Sequence, residues 1–248
     1  MPAVFVHGNP ESAAIWDLLF EQLARKDVVA LSPPGFGAPV PDGFDATSDS
    51  YLRWLTDELE RLPKPIDLVG HDWGGGHALR LAMTRPDLIR SWVSDILGCF
   101  DPEYVWHDMA RVWQTQGAGE QAVQGMAAAP LEARTAQFQQ LGMGTAAARV
   151  AEAVNADMGR CILALYRSAA QPAMKTLGLD LPRAASRPGL AIIATNDHYT
   201  GGEVLARRAA ASAGAQVVTL VGRGHWWMCE DPSLGARMLN EFFASVAR

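Results

Sequence analysis

The stretch Leu68-Val69-Gly70-His71-Asp72-Trp73-Gly74-Gly75-Gly76 decides the fold. An apolar strand signal runs into a Gly-x-x-x-Gly turn, and a helix signal follows at once. A residue held at the centre of so sharp an elbow needs small neighbours on both sides, which Gly70 and Gly74 supply. The residue presented here is Asp72, where elbows of this kind usually carry a serine nucleophile. The helix that starts beside it points its unpaired N–H groups, near residues 73–76, at any negative charge that develops there.

Outward from the elbow, short apolar runs read as strands over 3–6, 28–31, 66–69, 92–96, 190–194 and 217–221. Helical stretches separate them, at 15–24, 50–62, 74–84, 202–213 and 233–247. Strands alternating with helices predict a parallel, doubly wound α/β sheet, and the near-continuous apolar strands fit a sheet covered on both faces. The alternation stops between about Phe100 and Pro188. The pattern there is all helical, over 104–116, 119–128, 131–141, 146–157 and 158–170, before Pro188-Gly189 restarts the sheet. The expected organisation is a core over 1–99, a helical cap over 100–187 lying across the strand ends, and the rest of the core over 188–248.

The 248 residues suffice for one sizeable core with a modest insertion. A net charge of −6 gives no basic footprint for nucleic acid. No apolar run reaches the roughly 18 residues that span a bilayer, and the amino terminus lacks the pattern of a signal peptide. Three cysteines, Cys99, Cys161 and Cys229, form no CxxC pair and suit a reducing cytoplasm. His107 and His198 lack metal-ligand spacing with any acid or cysteine, so neither metal nor cofactor is expected.

Three further motifs complete the pattern. Val6-His7-Gly8-Asn9-Pro10 follows the first strand. Asp197 ends a late strand in Ile193-Ala194-Thr195-Asn196-Asp197. His225 follows the last strand in Gly222-Arg223-Gly224-His225-Trp226-Trp227. The order along the chain is nucleophile, acid, histidine.

With these residues in place, the chain resembles the α/β-hydrolase superfamily over essentially its whole length. The pairing of HGNP with GHDWGG, followed by a late Asp and GHW, is similar to the branch of epoxide hydrolases and haloalkane dehalogenases. The resemblance implies that Asp72 forms an alkyl-enzyme ester, that His225 activates water against it, and that Asp197 orients His225. It assigns the backbone N–H groups of Asn9 and Trp73 to an oxyanion hole. A carboxylate nucleophile suits attack on sp³ carbon, because the product is an ester that water can open; a serine would leave an ether.

The two activities need different help at the leaving atom. An opening epoxide develops an alkoxide and needs an acid. Tyr166, in Leu163-Ala164-Leu165-Tyr166-Arg167, is similar to one proton-donating tyrosine of epoxide hydrolases, and Tyr104 is a looser match to the other. A departing halide needs only N–H donors, and in one dehalogenase subgroup the HGNP asparagine and the tryptophan after the nucleophile hold it, here Asn9 and Trp73. The late acid and the GHDWGGG and GHWW contexts favour the epoxide hydrolase, with the dehalogenase as alternative and a non-catalytic ligand-binding relative behind both. Asp95, before the cap, stands one residue from that subgroup's acid position. The family's sheet usually carries two strands before the HGNP strand, at which this chain begins. Trp106, Trp113, His7 and Trp226 are expected to line a pocket for a small hydrophobic substrate, with water as the second reactant.

Overall fold

The structure, a computed structural model, describes residues 1–246. Six strands build one sheet: β1 (Ala3–Val6), β2 (Val28–Leu31), β3 (Ile66–Gly70), β4 (Ile89–Ser94), β5 (Gly189–Ala194) and β6 (Gln216–Leu220). The order is β2-β1-β3-β4-β5-β6, with every pairing parallel. The fold is that of an α/β hydrolase. β1 and β3 are buried along their whole length, which is why β1 reads as an unbroken apolar run and β3 as one broken only by Asp67. β2 and β6 lie at the edges and are only partly covered.

The helices are α1 (Asp17–Gln22), α2 (Ser48–Glu60), α3 (Trp73–Thr84), α4 (Asp108–Gln114), α5 (Ala118–Ala128), α6 (Leu131–Phe138), α7 (Ala147–Ala153), α8 (Ala156–Ser168), α9 (Ala173–Gly178), α10 (Gly202–Ser212), α11 (Trp227–Glu230) and α12 (Pro232–Val246). The last helix was expected to reach residue 247, which lies outside the described residues. Helices α4–α9 all fall between β4 and β5. No described helix is long and apolar enough to cross a membrane.

Several boundaries differ from expectation, each for a local reason. β4 was expected at 92–96 but runs Ile89–Ser94. Arg90 hides its start: the charge belongs there because its guanidinium meets the buried Asp67 at 2.8 Å. Beyond Ser94 the chain leaves the ladder, and Asp95 turns to accept the backbone N–H of Asp72. α4 begins four residues later than expected because His107 caps it, its Nδ1 accepting the Ala110 N–H at 3.2 Å. The pair of helices expected to meet at 157/158 instead breaks before Asn155, whose Oδ1 accepts the Met158 N–H. α9 was not foreseen.

Candidate active site

The strand order itself makes the crevice. From β1 the chain crosses to one side for β2, then returns past β1 to lay down β3 on the other side. The connections that leave the carboxyl ends of β1 and β3 therefore diverge, and a cleft opens between them. Asn9 follows β1, and Asp72 follows β3.

Asp72 sits at φ 50°, ψ −128°, a strained conformation for a residue with a Cβ, of the order of 1–3 kcal/mol. Close packing imposes it. A Cβ on Gly74 would lie 2.1 Å from the Val6 carbonyl oxygen, so the helix can approach β1 only through glycine. A Cβ on Gly8 would lie 2.0 Å from Asp72 Oδ1, so that glycine clears the space the carboxylate occupies. The Asn9 backbone N–H donates to Asp72 Oδ1 at 2.9 Å. The Trp73 N–H opens α3 and has no intrahelical acceptor.

On the other side of Asp72, His225 Nε2 stands 3.6 Å from Oδ2, and His225 Nδ1 bonds Asp197 Oδ2 at 2.7 Å. Asp197 is braced in turn by the Tyr199 N–H on Oδ1. Burial by itself would lower the His225 pKa; the carboxylates of Asp197 and Asp72 outweigh it and hold the imidazole well above its ordinary value. Asp197 is likewise opposed by burial, but His225 holds it below the usual carboxylate range. His225 thus faces Asp72 with one nitrogen and Asp197 with the other.

Residues 3–235 match the model of the Alpha/beta hydrolase family. The chain belongs to that family.

The chain shares 34% identity over 113 residues with the pimeloyl-(acyl-carrier protein) methyl ester esterase of Aeromonas salmonicida, covering 43% of this chain and 42% of the relative. It is 33% identical over 104 residues to an epoxide hydrolase of Caballeronia sordidicola, covering 36% and 29%. The matches thus span less than half the length of these curated relatives. A solved haloalkane dehalogenase from Bradyrhizobium elkani superposes with a TM-score of 0.73 over 99% of this chain and 90% of that one, at 22% identity, a likeness of fold.

The helices between β4 and β5 wall one side of a cavity of about 440 Å³. Asp72, His225, Asn9, Tyr166, Trp113 and Trp226 border it. Tyr166 is buried among Trp73, Trp106 and Trp113, with ring centroids 4.7–5.4 Å away. Its hydroxyl accepts from Asn9 Nδ2 at 3.3 Å. Burial first, and then the Asp72 charge, push its pKa well up. Trp73, Trp106 and Tyr104 border a side cavity of about 20 Å³ that also reaches Asp72.

Two expectations need correction. His7 does not line the pocket: it is buried beside β1, its Nδ1 on the Gly8 carbonyl and its Nε2 on Ser32. Tyr104, expected as a second proton donor, gives its hydroxyl hydrogen to the Tyr199 carbonyl at 2.8 Å. The late start of α4 leaves Tyr104 on the loop that packs against 199, which accounts for that bond.

Glu11, His107 and Tyr199 were missed. His107 and Tyr199 border both cavities. His107 reads as a cap only once the start of α4 is known. Glu11 had a visible signal, an acid inside an apolar stretch directly after HGNP. It bonds the Gly8 N–H at 2.9 Å, Trp226 Nε1 at 2.6 Å and His71 Nε2 at 3.0 Å. The other nitrogen of His71 bonds Asp95 Oδ2 at 2.5 Å, which also receives Trp227 Nε1. Asp95 is thus His71's partner, and Asp197 is His225's. Burial opposes charge on His71, yet Asp95 and Glu11 raise its pKa to about 10; Glu11 in turn falls to about 2. This fixed ion cluster ties together the loops after β1, β3, β4 and β6.

Donor atoms of Glu11, His71 and His225 lie within 4.8 Å of one another, a spacing a metal ion can use. His71 Nε2 and Glu11 Oε1 already face each other, and a metal would require His71 to lose its proton between two carboxylates.

Proposed function

We propose that this hydrolase opens an epoxide through an ester on Asp72 and releases a vicinal diol. One observation carries the reading. The Tyr166 hydroxyl accepts from Asn9 Nδ2, one of the two side chains that would otherwise grip a halide, and the Tyr166 ring packs edge-on against the other, Trp73. Its oxygen fills that place, and its own proton is left to donate into the cavity beside Asp72.

The steps follow from the geometry. A carboxylate oxygen of Asp72 attacks a ring carbon, the ring C–O bond breaks, and the departing oxygen takes the Tyr166 proton. Asp72, now an ester, has lost its charge, so one of the two carboxylates holding His225 protonated is gone. The imidazolium yields its proton, which restores Tyr166. Neutral His225 then takes a proton from water as it attacks the ester carbonyl, with the N–H groups of Asn9 and Trp73 facing the oxyanion. The expelled diol oxygen takes that proton back, and the new Asp72 acid reprotonates His225. Asp197 keeps the ring oriented throughout.

The cavity wall from the cap is apolar, with Met109, Met126, Phe138 and Leu141, which suits a small hydrophobic substrate. The three free cysteines fit a reducing compartment.

The intact mass of His225→Gln after incubation with epoxides and haloalkanes tests the reading. An adduct with the epoxide's full mass, lost in the further variant Tyr166→Phe, is expected. An alkyl adduct lacking its halogen, and indifferent to Tyr166→Phe, would replace the epoxide reading with dehalogenation.

A further inference from the structure

With the Tyr104 hydroxyl committed to the Tyr199 carbonyl, Tyr166 is left without the second tyrosine donor that the resemblance implied. A different side chain stands beside it. His107 borders the main cavity together with Asp72 and His225, and the side cavity together with Asp72, Trp73 and Tyr166. Its ring lies 6.3 Å from that of Tyr166 and 5.1 Å from that of Tyr199, nearly perpendicular to both.

The backbone settles which nitrogen carries the proton. His107 Nδ1 accepts the Ala110 N–H as the cap of α4. An acceptor nitrogen holds no hydrogen, so the ring proton is on Nε2. Burial keeps the His107 pKa below its ordinary value, although Asp72 pulls the other way, and the ring stays neutral. Apart from the bond at Nδ1, the ring makes no hydrogen bond among the described residues.

We propose that His107 is a catalytic residue, its Nε2–H donating a hydrogen bond to the oxygen that leaves carbon as Asp72 attacks. Tyr166 supplies the proton; His107 transfers none and stabilises the alkoxide while it forms. The inference rests on the epoxide reading of the site. It concerns ester formation alone, since the leaving oxygen is already a hydroxyl when water attacks.

The test is the rate of ester formation with styrene oxide, followed by rapid quench and intact mass. Asn is a strong helix cap but offers no donor at the position of Nε2, so His107→Asn separates the two roles of the residue. Ester formation in His107→Asn should slow by about a hundredfold, while ester hydrolysis and Tm stay at wild-type values. His107→Phe, which loses the cap as well, should show the same slowing plus a lower Tm. Wild-type ester formation in His107→Asn would overturn the proposal. So would an intact rate there combined with a lost one in Tyr199→Phe, since Tyr199 borders the same cavity. A wild-type protein that opens no epoxide would remove the epoxide reading and this inference together; one that opens styrene oxide as fast without His107 removes only the inference.

Discussion

Strand β3 has an aspartate near each end, and the two could hardly be treated more differently. Asp67, at the amino end, is fully buried and receives Arg25 at 2.7 Å, Arg90 at 2.8 Å and Ser91 at 2.6 Å. Asp72, just past the carboxyl end, receives the Asn9 N–H and faces His225 at 3.6 Å, with a cavity in front of it. A carboxylate whose lone pairs are all taken is a tie between strands. One whose lone pairs are only partly taken, in a strained turn beside a cavity, is available to attack. The residue type is the same; the number of donors around it sets its work. The two neighbouring histidines repeat the lesson, with ring centroids 4.5 Å apart. His71 is enclosed by Glu11 and Asp95, while His225 keeps one edge toward Asp72 and the cavity.

The contrast breaks most sharply at Asp72. Asp72→Asn should lower turnover by at least roughly 10⁴-fold and leave the fold intact, measured as diol release alongside thermal unfolding. If turnover survives, Asp72 is not the nucleophile.

Asp67→Asn should do the reverse. Two arginines lose their shared carboxylate, and stability should fall by about 3 kcal/mol, read from denaturant unfolding, while turnover per folded molecule is kept. Burial pushes the Asp67 pKa up, but Arg90, Ser91 and Arg25 outweigh it and hold the group below its ordinary 3.8. A depressed native pKa gives stability that is present above the unfolded pKa and is lost as pH falls through the native one. Tm should therefore drop below about pH 4 in the wild type, and less steeply in Asp67→Asn. Parallel Tm profiles would show that Asp67 is not the source.

The smallest effect is expected at Asp95, which belongs to both patterns: it accepts the Asp72 N–H and faces His71. Asp95→Asn keeps an acceptor for that N–H but removes the charge that balances His71. Turnover should fall roughly tenfold, with a modest loss of Tm, in paired activity and melting assays. A loss as large as that of Asp72→Asn would place Asp95 in the chemistry and not behind it.

Much of this was legible from residues. The elbow, the order of Asp72, Asp197 and His225, the parallel sheet and the cap between β4 and β5 all follow from local patterns: glycines where backbones touch, apolar runs where both faces are covered. What local pattern could not give was the pairing of charged and polar groups far apart in sequence. Arg90 obscured a strand because its partner, Asp67, is 23 residues away. Tyr104 and Tyr166 looked alike as donors until the fold spent one hydroxyl on the Tyr199 carbonyl. The partner of His71 could not be read from its neighbours because Glu11 lies 60 residues upstream.

The sequence by itself thus determined which backbone could form and where Asp72 would stand, since sterics and burial periodicity act between near neighbours. The tertiary structure alone decided that Asp95 and Glu11 enclose His71 and that the Tyr104 hydroxyl is spent on the Tyr199 carbonyl. Those outcomes depend on a few ångströms between loops brought together by the parallel sheet, and hydrogen bonding is decided at that scale.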